Sequence, residues 1–504
     1  MQSIAPPIPD IRSAQAHPLP SRLAITLGLA ALADWLFYNE RIGISLALFA
    51  AVLMGCSLLA NRAASSCRRA LLAVTIVAAG LVPAIEELNP LSLAFLVLAL
   101  GVAVSIGTNP GLYGLADRTR ALRDLFIFGP FRLFRDLIGS FSIPTVATGF
   151  AMWFVPVVLG TVFVALFASA NPLIEKWFTL LNPGNAASHI SLARVLFWGA
   201  VLSMVWPFVQ IRWQRKAAAE AAMIETVADK IGPPADANLL DFFGTATILR
   251  SLILFNLLFA VQTVLDVIYL WGNAALPADI TYASYAHRGA YPLIVTALLA
   301  ACFVLIAMKP GGPAEQSPII RPLVYLWVAQ NVMLVISSIL RLDLYVQIYL
   351  LTYWRIAAFI WMMLVAIGLV LIVARIALQR SNGWLIRANL ITLFGTLYIC
   401  SLVNFAAVVA DYNVSHSRQA GGKGVSIDMH YLTLLGPQAL PALDKAIQLQ
   451  GVTNPSLVSH RNCLVERLRQ DMNSWRAWNL RGWRLQRYIA AQERQQTPAG
   501  EAQS

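Results

Sequence analysis

Of the 504 residues, 58% are hydrophobic and only 12% are charged, against about 45–50% and about 25% in soluble domains. That balance excludes a soluble enzyme, a coiled coil and a disordered chain, and a mean hydropathy of +0.66 puts much of the length in lipid. The formal net charge is +12 with a pI near 9.7. The bases gather in loops rather than in a stripe with aromatic partners, so no nucleic acid is expected as a partner.

Residues 1–22 are polar and Pro-rich (Pro6, Pro7, Pro9, Pro18, Pro20) and read as a disordered cytoplasmic leader. Ala31, Leu32 and Ala33 before Asp34 have the form of a signal-peptidase site, but the apolar run continues through Trp35, Leu36, Phe37 and Tyr38, as an uncleaved anchor does. A membrane-crossing helix needs about 20 mostly apolar residues. Eleven such spans are expected: 23–39, 42–60, 70–85, 91–107, 150–171, 195–211, 248–271, 289–308, 322–340, 354–374 and 388–410. The expectation is an all-α integral membrane protein with a polytopic domain over 23–410. The third and fourth spans are short and flank Glu86 and Glu87, for which a re-entrant hairpin is the lesser alternative.

Lys and Arg near helix ends favour the cytoplasmic side. With the N-terminus inside, the inner segments hold Arg12, Arg22, Arg62, Arg68, Arg69, Arg118, Arg120, Arg123, Arg132, Arg135, Arg212, Arg215, Lys216, Lys230, Lys309, Arg321, Arg375, Arg380 and Arg387. The alternate loops hold Arg41, Lys176, Arg288 and Arg341 beside the acids Glu40, Glu86, Glu87, Glu175, Asp279 and Asp343. An odd number of spans then places the tail, 411–504, on the extracytoplasmic side.

The inner loop 108–149 contains Gly129 to Leu137, where Phe131, Phe134 and Leu137 share a helical face beside arginines, as in an interfacial helix on anionic lipid. The loop 212–241 mixes both signs around Gly232, Pro233 and Pro234 and reads as a solvated connector or a partner site. In the tail, Ser426 or Asp428 can cap a short helix through Tyr431 and Leu434 that Gly436 and Pro437 stop. Helices follow at about 438–449 and 456–492, the latter with a break near Asn473 and Ser474. Its end sets Trp475, Trp478, Leu485 and Ile489 on one stripe among Arg476, Arg481, Arg484 and Arg487, fitting either a helix laid on the outer leaflet or tryptophans packed inside a small helical domain.

No metal, nucleotide or nucleophile motif is present, so neither a metal nor a cofactor is expected. Gly421, Gly422, Lys423 and Gly424 lack the hydroxyl residue and strand of a phosphate loop and read as a linker. The five cysteines never pair at metal or redox spacing. The informative residues are polar ones within the spans, where ionisable groups are expensive and face a bundle interior. Gln330, Ser337 and Arg341 share one face of the ninth span with Asn331 and Ser338 beside them, the seventh span carries Gln262 and Asp266 one turn apart, and Asn404 precedes Asp411 by two turns. Asp34, Arg288, Asp343 and Arg355 lie at the same level. Guanidinium groups suit carboxylate or phosphate, so Asp266, Arg288, Gln330, Arg341, Asp343, Arg355 and Asp411 form a candidate outward-facing site for an anionic solute or lipid headgroup. The plainer alternative is that Arg341 and Arg355 pair with Asp343, Asp266 or Asp411 to hold helices together.

Several stretches taken together, 167–178, 285–293, 341–346, 351–355, Asn404 with 411–414, and 427–432 leading into 439–443, resemble the bacterial polytopic membrane family known as domain of unknown function 4173 and its relative 4153. Asn171 stands where that pattern has an acid. The resemblance implies a bacterial cytoplasmic-membrane protein with an exterior tail and carries over no catalytic residue. Two functional classes follow from the residues: a transporter-like or receptor-like protein with an outward polar cavity, or a transferase or hydrolase of lipid-linked envelope precursors using Asp34, Glu86, Glu87 or Asp266. A scaffold or sensor component with a protein partner on its tail is a third.

Overall fold

The computed structural model describes residues 19–61, 66–108, 115–140, 192–211, 245–272, 299, 317–450 and 455–496. The expected spans 150–171 and 289–308, the 212–241 loop and almost all of the leader lie outside the described residues. Every regular element described is helical. In chain order these are α1 Leu19–Phe37, α2 Ile44–Ala60, α3 Cys67–Glu86, α4 Pro90–Thr108, α5 Leu115–Phe126, α6 Gly129–Ser140, α7 Leu192–Val209 and α8 Thr245–Asp266, which runs into a π turn Val267–Trp271. Then come α9 Ile320–Tyr349, α10 Tyr353–Ala377, α11 Asn382–Leu402, α12 Phe405–His416, α13 Met429–Leu434, α14 Leu440–Gln450, α15 Pro455–Asp471, a 3-10 turn Trp475–Ala477 and α16 Leu480–Gln496.

Among the described residues, six helices are long and apolar enough to cross a membrane: α3, α4, α8, α9, α10 and α11. They mark the chain as a membrane protein. These six coincide with the third, fourth, seventh, ninth, tenth and eleventh expected spans, and the other five divide as follows. Two spans fall outside the described residues. The helices at the first, second and sixth expected spans are short or carry charge: α2 and the Ala193–Val209 part of α7 are brief, and α1 includes Arg22 and Asp34. The last expected span, 388–410, is two helices, because Val403 turns the chain out of α11 and Asn404 caps α12, its Oδ1 accepting from the Ala407 N–H at 3.1 Å. The third and fourth spans are full helices of 20 and 19 residues.

The chain divides into two compact units, Met1–Arg215 with Asp471–Ser504, and Lys216–Gln470. In the first, α3 and α4 approach closely: a Cβ added at Gly80 would stand 2.4 Å from the Ala99 Cβ. Small residues let apolar helices pack by backbone proximity where lipid offers no hydrophobic drive. Leu53, Met54, Val77, Leu96, Leu100, Val104, Val205 and Phe208 fill the core around them. Polar ties set the direction of α7. Ser57 Oγ donates to the Phe208 carbonyl at 2.7 Å, Arg22 donates to Gln210, and Arg194 binds Asp34. Thus α7 runs antiparallel to α1 and parallel to α2.

In the second unit, Trp327 on α9 stacks on Phe255 of α8 at 5.3 Å and meets Phe259 edge-on at 6.0 Å. Partner numbers rise together along both helices, with Asn256 meeting Leu323 and Gln330, and Asp266 meeting Arg341. The two helices are therefore parallel, as the seventh and ninth spans of the expected order would be. Met362, Leu369 and Ile372 of α10 close this core. The short tail helix forms as expected: α13 is capped by Asp428, whose Oδ1 accepts from the Tyr431 N–H at 3.0 Å, and Gly436 follows at φ +76°.

Candidate functional site

The polar residues of α8 and α9 meet at their buried interface. Asp266 closes α8 where the helix widens into the π turn, and it is 2% exposed. Its Oδ1 accepts from both the Arg341 guanidinium and Gln262 Nε2, the latter at 3.0 Å. Its Oδ2 is buried without a hydrogen-bond partner. Arg341 is 5% exposed. Toward the other end of α8, Asn256 Nδ2 donates to the carbonyls of Leu252 and Leu323 at 2.8 and 3.1 Å, and Gln330 Nε2 donates to the Asn256 carbonyl at 3.2 Å. Asn331 Nδ2 turns back onto the Trp327 carbonyl at 2.7 Å. Each amide thus spends its donors on backbone carbonyls, and Asn256 Oδ1, Gln330 Oε1 and Asn331 Oδ1 are left buried and unpaired. A buried acceptor without a donor costs free energy of about 1–3 kcal/mol. The α8–α9 interface therefore carries a row of acceptor oxygens able to take water or a donor group.

The six candidate residues that are described do not gather into one cluster. Asp266 and Arg341 are in direct contact, and Gln330 lies on the same pair of helices. Arg288 lies outside the described residues. Asp343 is exposed and accepts from Gln347 Nε2 at 2.8 Å. Burial, helped by the Asp343 carboxylate, pushes the Tyr412 phenol above its usual range. Asp411 is exposed and meets Lys445 Nζ at 3.3 Å. Arg355 caps the end of α9, donating to the Tyr349 carbonyl at 2.6 Å and to that of Leu350 while its guanidinium lies 4.6 Å from the Tyr345 ring centroid. A cation there meets the partial negative charge of the helix C-terminus. Of the proposed helix-holding pairs, the structure contains Arg341 with Asp266.

Leu350, between α9 and α10, has φ +62°, a region unfavourable to a side chain with Cβ. Asn413 of α12 holds this turn like a paired strand: its Oδ1 accepts from the Leu351 N–H at 2.7 Å and its Nδ2 donates to the Leu351 carbonyl at 3.0 Å. A Cβ on Gly424 would stand 2.7 Å from the His416 carbonyl oxygen as well as from Leu350 Cδ2, so glycine is needed where the tail crosses. Sequence reasoning reaches neither Asn413 nor Leu350.

The acids set aside for catalysis are each in ion pairs. Asp34 binds Arg194 and accepts from Trp198 Nε1 at 3.1 Å. Glu86 meets Arg481 and Arg484 at 3.4 and 3.0 Å, and Glu87 meets Arg481. Sequence reasoning misses Arg194, although a base one turn before Trp198 on the acid-rich side was the available signal. It also misses that the tail arginines are the partners of Glu40, Glu86 and Glu87. The tail stripe is not one helix. Trp475 and Trp478 belong to the turn before α16, Trp475 is half exposed and rests 5.7 Å from Trp35, and only Leu485 and Ile489 are buried. With α16 packed on α3, Leu485 and Ile489 face protein, while Trp475 keeps an exposed face.

Among the described residues, no group of three His, Cys, Asp or Glu side chains could hold a metal ion. Residues 23–446 match the family described as Domain of unknown function (DUF4153). The chain belongs to that family. No curated protein and no solved structure matches it.

Proposed function

We propose that this DUF4153 protein is a bacterial inner-membrane protein with its N-terminus cytoplasmic and 411–504 extracytoplasmic, and that α8 and α9 carry a transporter-like or receptor-like site for an anionic solute or lipid headgroup. The supporting observation is the Asp266–Arg341 pair, buried between two parallel apolar helices with one carboxylate oxygen left unpartnered. A charged pair of this kind is costly inside a membrane bundle and is a hypothesis of function by default. An anion that engages the Arg341 guanidinium would compete with Asp266 for it. The π turn beginning at Val267 supports the same place, since such widenings recur at functional sites. The likeness of motif order to family 4173 belongs to this reading as a resemblance only.

The test is a melting series of the purified full-length protein in detergent with inorganic phosphate, citrate and glycerol phosphate as probes. The expected result is a concentration-dependent rise in melting temperature with at least one anion, lost in Arg341→Gln and retained in Arg355→Gln. If Arg341→Gln responds to the anions as the wild type does, the site is not at Arg341.

A further inference from the structure

A second, separate surface stands out on the first unit, at the helical hairpin α5–α6. We propose that this hairpin is a binding surface for anionic phospholipid, with its corner in the acyl region and its arms among the headgroup phosphates. The inference rests on reading α4 as a membrane helix and is independent of the α8–α9 site.

Depth comes first. A Cβ on Gly101 of α4 would stand 2.6 Å from the Phe126 ring and 2.7 Å from Leu122 Cδ2, so α5 folds back along α4. Gly101 lies seven residues before the end of α4 at Thr108, which is about 10 Å at 1.5 Å per residue. The corner therefore sits inside the end of a membrane helix rather than beyond it. Phe126 meets Phe208 of α7 at 6.1 Å, and Asp136 accepts from Trp206 Nε1 at 3.1 Å, which fixes α6 against α7.

Polarity follows depth. The corner exposes Ile127, Phe128 and Phe131 at 57%, 52% and 51%. Along the exposed stripe of α5, Arg120 and Arg123 precede Ile127 by seven and four residues, and on α6 Arg135 follows Phe131 by four. Arg118, Arg120, Arg123 and Arg135 are all exposed. Both arms thus run from apolar at the corner to basic farther out, the order a bilayer presents from acyl chains to phosphates. Arg118, Arg120, Arg123, Arg132 and Arg135 outnumber Asp117, Asp124 and Asp136 on the hairpin, so it stays net basic although Asp124 pairs with Arg123 at 3.1 Å. Arg123 also lies 5.5 Å from the Phe128 ring centroid, joining the basic arm to the apolar corner. Guanidinium groups bind phosphate oxygens in bidentate fashion, and each base near an anionic surface adds to the attraction. A surface of this gradient fits a phospholipid leaflet better than a soluble anion, which gains nothing from exposed Ile127, Phe128 and Phe131. Of the face expected over 129–137, Phe131 is exposed and belongs to the corner, Phe134 is half-buried, and the side chain of Leu137 lies outside the described residues.

The experiment uses the full-length protein in detergent micelles doped with phosphatidylglycerol or phosphatidylcholine, with retained lipid counted by native mass spectrometry. Wild type should retain phosphatidylglycerol in preference. Combining Arg118→Gln, Arg123→Gln and Arg135→Gln should reduce that preference roughly tenfold or more, with the melting temperature unchanged because all three side chains are exposed. Ile127→Ser with Phe128→Ser should reduce retention of both lipids. The proposal is overturned if the triple variant keeps the wild-type preference. It is also overturned if glycerol phosphate displaces the lipid at equal concentration, which would mean a soluble-phosphate site. A dimer that is lost in the Ile127→Ser, Phe128→Ser variant would overturn it as well, by assigning the corner to a second copy of the chain.

Discussion

The N–H of Ile44, the first residue of α2, donates to the carbonyl of Trp478 in the tail at 2.8 Å. Gly43 makes this approach feasible, since a Cβ there would lie 2.4 Å from the Ala477 carbonyl carbon. Around this backbone contact, Arg476 meets Glu40 at 2.8 Å, Arg41 meets Asp471, and Arg481 bridges Glu86 and Glu87. One tail segment therefore fastens the α1–α2 turn and the α3–α4 turn together.

The bridging arginine should dominate this attachment. Arg481 is 6% exposed, so Arg481→Ala takes this partner from Glu87, leaves Glu86 with only the exposed Arg484, and should cost about 2 kcal/mol of docking once the part-exposure of Glu87 is discounted. Arg484, whose side chain is 60% exposed, should contribute less than about 1 kcal/mol. Limited proteolysis of 471–496 reads the difference, with rapid cleavage in Arg481→Ala and near wild-type protection in Arg484→Ala. Equal protection in both would remove Arg481 from its central position.

Gly43→Val tests the same contact without touching a charge. The side chain would collide with the Ala477 carbonyl, so the tail should undock while the ion-pairing residues remain. Hydrogen exchange at the Ile44 amide should rise sharply. An unchanged rate would mean that the loop moves at little cost.

For the buried pair, Arg341→Ala and Asp266→Ala should each destabilise the protein by about 3–5 kcal/mol, since either leaves an uncompensated charge. Asp266→Leu combined with Arg341→Met should recover most of that loss. Melting temperatures check the cycle. If the double variant is stable yet loses the anion response, the pair has a role beyond holding α8 to α9.

The α9–α10 turn depends on one amide. Asn413→Ala removes both bonds to Leu351 and should cost about 2 kcal/mol, whereas Asn413→Asp keeps the acceptor and loses only the donor. Denaturant melts of the two variants should rank them in that order.

A C-terminal alkaline phosphatase fusion should be active and a green fluorescent protein fusion dark, because the tail segment packs on the acid-rich turns that follow the first and third helices. The reverse pattern would invert the proposed orientation.

Helix existence was legible wherever apolar length was sufficient. The expected spans at 70–85, 91–107, 322–340 and 354–374 coincide with α3, α4, α9 and α10. The break at Asn404 was not, because both flanks are apolar and a capping asparagine looks the same as an intramembrane polar residue until the backbone is seen. The site was half legible. Asp266 and Arg341 stand out as charges inside apolar runs, and their pairing was one of the alternatives. For Arg355 and Asp411 the sequence carries no sign of the helix end and the tail lysine that they meet. The tail pairs were least accessible, since Arg481 and Glu86 are 395 positions apart and no periodicity spans that distance.

That separation bears on biogenesis. The turns after α1 and α3 leave the ribosome nearly four hundred residues before their tail partners do, as the Arg481–Glu86 spacing of 395 shows. Throughout that interval Glu40, Glu86 and Glu87 lack these tail partners, and the first unit cannot reach its final arrangement. The last step of its assembly is then a post-insertional closure, so the two segments of this unit should work as separately expressed pieces that find each other, and an early stop before residue 471 should leave the N-terminal helices inserted but short-lived.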